Sequence, residues 1–358
     1  MQHNRQYLFF DIECSDGQHI CSFGYVLTDC NLNIVDKQDI IINPEAKFKT
    51  GRAGFDPNIN FAYPKADFLK APTFDKVSGR IFDIMQTTNP ILIGHSVDND
   101  FKFLIQACKR YGLEMPDFVF FDTQMLYKTI HVTGQIALDK LATALNVDCT
   151  ATLHKSDDDA LLTKEIFGKI CAEQGLSPMQ LLEQYKYTQG KSIGNTVYVY
   201  ENNPKTMFRS QISHYRPSIA IVGHQLQDKS FCISPKLLDT YLYELWIIVE
   251  RMIDCGAVFM DEMLGDFDIF VWDNNSQCKT CDWINKNDAL AHVQILNLKQ
   301  ICNILGLDFG NLPMPERQNY RVAYCENIQS LPTKKERNHY KPMTNTIGDI
   351  LKARGMKL

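Results

Sequence analysis
No apolar run in the 358 residues approaches the length of a membrane-spanning helix; the best candidate, Leu237 to Asp254, is broken by Glu244, Glu250 and Arg251. An apolar leader is also missing, since Met1-Gln2-His3-Asn4-Arg5 runs straight into a strand. Neither export nor a membrane partner is therefore expected, and the chain reads as cytoplasmic. Twelve cysteines are present, but not at disulfide-framework spacing. Cys21, Cys108, Cys171 and Cys302 fall on apolar faces, as reduced core residues do. Cys278-x-x-Cys281 has no second pair beside it, so a four-ligand zinc site is not expected. No Gly-x-Gly-x-x-Gly follows a strand, which argues against a dinucleotide-binding domain. A general positive charge is lacking too: the net charge of −5 does not suit a protein that coats nucleic acid.

What is present is a set of carboxylates in three short clusters. Tyr7-Leu8-Phe9-Phe10-Asp11-Ile12-Glu13 reads as a buried strand, and its period of two puts Asp11 and Glu13 on one face. Two acids on an apolar strand call for a cation or strong donors between them, unless the strand end dips into solvent. Pro90 to His95 is a second short strand. Phe101, Leu104, Cys108 and Tyr111 then mark one face of a helix, placing Asp100 in its first turn, where a cap or the helix dipole would also favour an acid. Asp98 is the better candidate for a pure cap. His154 precedes a third segment, Asp158 to Gly175, with helical spacing at Leu161, Leu162, Ile166, Phe167 and Ile170, so Asp159 falls in its first turn. Asp157 and Asp158 read as the solvated start of that helix. Four carboxylates can hold two hard cations, an all-oxygen set favours Mg²⁺ or Mn²⁺, and His154 is then left as a base near neutral pH.

In this order and at these separations, the clusters resemble the DEDDh family of 3′→5′ exonucleases over about residues 5 to 175. The family's first motif falls on Asp11 and Glu13, its second on Asp100, and its third on His154, Asp159 and Ala160. Phe120-Phe121-Asp122-Thr123 and Leu138-Asp139-Lys140-Leu141 look like two further family segments. Cys14 and Ser15 stand where the family has Thr, and Asn99 where it has an aromatic residue, which bears on substrate preference. The resemblance implies an RNase H-like mixed sheet flanked by helices. It also implies a pair of metal ions with Asp11 bridging, and removal of 5′-mononucleotides from a free 3′ end of nucleic acid.

The chain is long enough for two domains. Residues 1–178 form the expected exonuclease domain and 179–223 a basic, aromatic connecting segment. In the latter, Val197 to Tyr200 reads as a strand turning at Asn202-Asn203-Pro204; alternatively, Lys186, Lys191, Lys205, Arg209 and Arg216, interleaved with Tyr187, Tyr198, Tyr200, Phe208 and Tyr215, suit unpaired bases. Residues 224–309 alternate strand and helix and predict a small α/β domain with a parallel sheet. Helices are expected at Leu237 to Asp254, Asn285 to His292 and Leu298 to Leu305. This order resembles a BRCT domain, although Pro235 replaces a usual Gly and the usual Trp of the last helix is absent. The resemblance implies recruitment through a phosphoprotein or a DNA end, with Ser234 and Lys286 as candidate phosphate ligands. Residues 310–358 form a basic tail, with Lys334, Lys335, Arg337, His339 and Lys341 clustered. The combined expectation is a two-metal 3′→5′ exonuclease acting on DNA. The competing readings are an exoribonuclease that trims RNA ends and a catalytically silent nucleic-acid scaffold.

Overall fold
Tyr7–Cys14 (β1) is the centre from which the first sheet grows. The computed structural model describes residues 5–48, 62–147, 155–216, 226–260, 267–273, 278–313 and 319–326. Ile20–Thr28 (β2) and Ile34–Ile41 (β3) continue from β1 as an antiparallel meander. Two short helices, Lys65–Lys70 (α1) and Phe74–Gln86 (α2), lead to Ile91–Gly94 (β4), which pairs parallel to β1 on its other side. Asp98–Tyr111 (α3) returns to Phe118–Asp122 (β5), parallel to β4. Four helices follow: Thr123–His131 (α4), Leu138–Ala144 (α5), Ser156–Gln174 (α6) and Pro178–Gln184 (α7). The hairpin Gly190–Ile193 (β6) and Thr196–Tyr200 (β7) adds antiparallel strands to β5. Tyr320–Cys325 (β12), the last described strand, completes the mixed order β12-β7-β6-β5-β4-β1-β2-β3.

The alternation in β1 decides the layers. Leu8, Phe10 and Ile12 enter one core with Ile81 and Met85 of α2 and Phe101 and Leu104 of α3. Tyr7 and Phe9 enter the other, where Phe167 of α6 lies 6.2 and 5.7 Å from their rings. The fully buried Phe167 is worth roughly 1.5–3 kcal/mol in transfer alone. It therefore anchors α6 across the strand that carries Asp11 and Glu13.

Two expectations near the hairpin need correction. The strand at Val197 to Tyr200 is present, but it turns at Gly194 and Asn195, whose φ of +54° and +61° suit a tight two-residue hairpin loop. Asn202-Asn203-Pro204 instead starts a helix, Pro204–His214 (α8): the Asn203 side chain accepts from the Lys205 and Thr206 amides at 3.0 and 3.2 Å, and Pro204 occupies the first turn. The stretch read as a tail from residue 310 contains β12; the basic cluster Lys334 to Lys341 lies outside the described residues.

The chain divides into two compact units, Met1–Tyr200 with Val322–Asn327, and Glu201–Arg321 with Ile328–Leu358. The second contains α8, Ser230–Ile233 (β8), Leu237–Thr240 (α9), Leu242–Asp254 (α10), Val258–Phe259 (β9) and Ile269–Val271 (β10). Lys279–Asn285 (α11), Gln294–Leu296 (β11) and Leu298–Leu305 (α12) follow. Its four strands are all parallel, in the order β11-β10-β8-β9. The helix expected from Leu237 to Asp254 breaks at Tyr241. That expected at Asn285 to His292 lies earlier, because Cys278 caps α11 while Asn287 caps only a single 3₁₀ turn, Asp288–Leu290.

Candidate active site
Asp11 and Glu13 extend the face of β1 that begins with Tyr7 and Phe9, so they emerge beside α6, the helix that covers it. Asp159 stands in the first turn of α6. One oxygen from each of Asp11, Glu13 and Asp159 lies within 4.8 Å of the others; among the described residues no other group of His, Cys, Asp or Glu has metal-ligand spacing.

Gly24 makes this approach possible. It pairs with Asp11 across β1 and β2, and the backbone of Ser156 and Asp157 lies directly over it. A Cβ on Gly24 would come within 2.0 Å of both the Asp157 nitrogen and the Ser156 carbonyl carbon. Backbone therefore rests on backbone, as only glycine permits. The Ser22 and Ser156 hydroxyls hydrogen-bond beside it. Asp157 and Asp158 are not a solvated helix start. Asp157 is buried and pairs with Lys37 at 3.1 Å and Lys155 at 2.8 Å, while Asp158 pairs with Lys37 at 2.5 Å. Lys37 on β3 thus holds the start of α6 to the sheet.

Asp100 reaches the site by another route. It is 5% exposed, and its Oδ1 accepts the Ile12 amide at 2.9 Å. β4 pairs with β1 only as far as Phe9, so Asp100 serves an amide beyond the end of that ladder. The turn between β4 and α3 is itself pinned. The Asp122 carboxylate accepts from the Ser96 and Val97 amides at 3.1 and 3.2 Å, and from Gln124 and Met125 at the start of α4. Ser96 has φ +55°, and Gln124 donates to its hydroxyl at 2.7 Å. His95, whose pKa burial lowers to about 4, sits between the Thr123 hydroxyl and the Ile136 carbonyl, each at 3.0 Å, and is part of this frame.

The electrostatics describe a site short of positive charge. Burial raises the pKa of Asp11 well above the ordinary carboxylate range, and Asp100, Glu13, Asp159 and Asp39 add to this. Asp100 is also raised, again mainly by burial, against the opposing Ile12 amide. Like charges held together in this way are relieved by a bound cation. The donor set fits Mg²⁺ or Mn²⁺: it is wholly oxygen, anionic and convergent.

Asp39 carries no local signal in the sequence. It pairs with Gly24 from the β3 side, which aligns Asp11, Gly24 and Asp39 across three strands. Burial pushes its carboxyl up to about 6, with the Tyr63 hydroxyl opposing and Asp157 assisting. Its surroundings, Asp36-Lys37-Gln38-Asp39, read only as a polar strand. His154 lies outside the described residues. Ser234 is buried at the end of β8, donating its amide to the Val271 carbonyl at 3.0 Å; Lys286 is exposed at the end of α11. Among the described hydrogen bonds and ion pairs, none joins these two residues. Cys278 Sγ accepts the Cys281 amide at 3.3 Å as the cap of α11.

The RNase_T exonuclease family model matches residues 8–167. Similar solved structures include a 3′-exonuclease that recognises the 3′ end of a histone mRNA stem-loop, with 19% identity over 49% of this chain and 65% of that one, TM-score 0.41. Another is the nuclease domain of 3′hExo, a DEDDh family member bound to rAMP, with 20% identity over 49% and 94%, TM-score 0.41. A third is E. coli exonuclease I with a dA16 oligonucleotide, with 10% identity over 60% and 61%, TM-score 0.40. The chain spans about two thirds or less of the first and third of these. Among curated proteins, no sequence matches. Residues 8–167 thus match the RNase_T exonuclease family model, a span that takes in Asp11, Glu13, Asp100 and Asp159.

Proposed function
We propose that the protein is a 3′→5′ exonuclease that hydrolyses the terminal phosphodiester of a DNA strand and releases 5′-mononucleotides. The observation that carries this is the convergence of Asp11, Glu13 and Asp159 within 4.8 Å, with Asp100 fixed beside them through the Ile12 amide. These four carboxylates would hold two divalent ions, Mg²⁺ or Mn²⁺. When bound, such ions supply charge stabilisation for the attacking and leaving oxygens. The chain's own residues do the rest. Asp11 and Glu13 are set by the strand, Asp159 by a helix seated on Gly24, and Asp100 by the Asp122 frame. His154, five residues before Asp159, is the base that takes the proton of the attacking water.

The second unit is proposed as a BRCT-like module that recruits the nuclease to a phosphoprotein or a DNA end. Its all-parallel order, with the first strand between the second and third, supports that reading. Ser234 lies between the carboxyl ends of β8 and β10, where the strand order reverses and open α/β sheets bind ligands. A direct test is the rate on matched 5′-labelled DNA and RNA strands. Faster shortening of DNA is expected; faster shortening of RNA would assign the protein to RNA end-trimming instead.

A further inference from the structure
The helices that cover the Tyr7 and Phe9 face of the sheet leave part of β5, β6 and β7 open. Val119, Lys191 and Tyr198 form one rung across these strands and so share a face, with Ile193 and Tyr200 on the same side. Val119 is 50% exposed, Ile193 42% and the neighbouring Tyr187 57%. This is an ordered aromatic array. Tyr187 meets Tyr200 edge-on at 5.4 Å and Tyr185 at 6.2 Å, and the Lys191 ammonium lies 5.2 Å from the centre of the Tyr198 ring. A cleft of about 580 Å³ adjoins it, lined by Val119 and also by Arg5, Asn89, Lys186, Gln189 and Glu183. That volume is in the range of small-ligand sites.

We infer that this face is a second nucleic-acid contact, which takes unpaired bases of a single strand on Tyr187, Tyr198 and Tyr200. Exposed rings stack on bases of any sequence, and a cation beside a ring adds phosphate attraction. In the cleft Arg5 and Lys186 match Glu183 and Asp117, of which Asp117 is engaged in accepting the Gly194 amide at 3.0 Å, and Lys191 beside the Tyr198 ring adds a further positive charge on the open face. A patch in which Tyr187 and Lys186 are exposed and Tyr198, Tyr200 and Lys191 half-buried suits a wet, anionic, planar ligand better than it suits a dry protein interface, from which lysine is depleted. The face lies apart from the carboxylates. β7 is four strand spacings from β1, about 19 Å. It would therefore hold a strand several nucleotides from the end being cut, and short substrates would not reach both places.

The inference rests on the nuclease reading, and the test separates the two. Turnover of a trinucleotide and of a single strand about 30 nucleotides long would be compared in wild type, Tyr187→Ala with Lys191→Gln, and Tyr187→Phe. For the long strand, the double variant should raise KM by about fivefold or more. The trinucleotide KM and both kcat values should stay unchanged, and Tyr187→Phe should behave as wild type. Equal KM for the long strand in wild type and double variant would overturn the inference, as would equal losses on both lengths. If neither substrate turns over, the nuclease reading fails, and anisotropy of the labelled long strand in EDTA still decides: weaker binding by the double variant supports the face and unchanged binding overturns it.

Discussion
Gly24→Ala concentrates the reasoning in one methyl group. The added Cβ would sit 2.0 Å from the backbone of Ser156 and Asp157, where ordinary contacts begin at 3.4 Å. The start of α6 and strand β2 must therefore part by about 1.4 Å. Neither side yields easily: Lys37 pairs with Asp157 and Asp158, and Phe167 is locked against Tyr7 and Phe9. Overpacking of this kind costs roughly 1–3 kcal/mol, which in a domain of this size lowers Tm by about 2–10 °C. The larger effect should be on chemistry, because Asp159 follows Asp157 by two residues. A misplacement of about 1 Å costs about 10² in rate. Differential scanning calorimetry and single-turnover hydrolysis at saturating Mn²⁺ would measure both. A Gly24→Ala protein with wild-type Tm and rate would refute the claim that backbone contact over Gly24 sets the site.

Four further outcomes follow from the same geometry. Asp122→Asn should lower the rate by about 10² and raise the Mn²⁺ needed for half-maximal activity, because the turn that launches α3 loses a charged acceptor for several amides; an unchanged Mn²⁺ requirement would detach Asp122 from the site. His154→Ala should slow hydrolysis by about 10² to 10⁴ while calorimetric Mn²⁺ binding persists, and loss of binding would make it a ligand instead. Asp39 has a folded pKa of about 6, above its ordinary value of 3.8, so the folded state binds the extra proton. In EDTA its contribution to stability is full below about pH 4 and is lost as pH rises through 6; Asp39→Asn should flatten that slope in urea melts, and an equal slope would exclude it. Saturating Mn²⁺ at about 100 times its dissociation constant should add about 2.7 kcal/mol to stability at pH 7, and less in Asp11→Asn.

The sequence made the carboxylate frame legible where local periodicity controls it. The two-residue period of β1 put Asp11 and Glu13 together, and the helical spacing after Gly94 and after Lys155 put Asp100 and Asp159 in first turns. The mixed sheet and the small parallel sheet were also expected. What escaped were contacts between distant segments. Asp157 looked solvated because Lys37, which neutralises it, is 120 positions away in sequence. Asp39 had no local signal, since only strand register across Gly24 aligns it with Asp11. Asn203 reads locally as a turn because Asn-Pro serves both turns and helix starts, and the choice falls to the Met207 and Phe208 face of α8, buried in the second core.

The central claim is that four carboxylates, Asp100 and Asp159 buried and Asp11 and Glu13 half-buried, make a metal-dependent nuclease. The most direct measurement is a time course on a 5′-labelled single strand with Mg²⁺ or Mn²⁺, set beside EDTA and Asp100→Asn. A ladder that shortens from the 3′ end with metal, and disappears in EDTA and in the folded Asp100→Asn protein, is the predicted result. Shortening that continues in EDTA, or at the wild-type rate in Asp100→Asn, would contradict it.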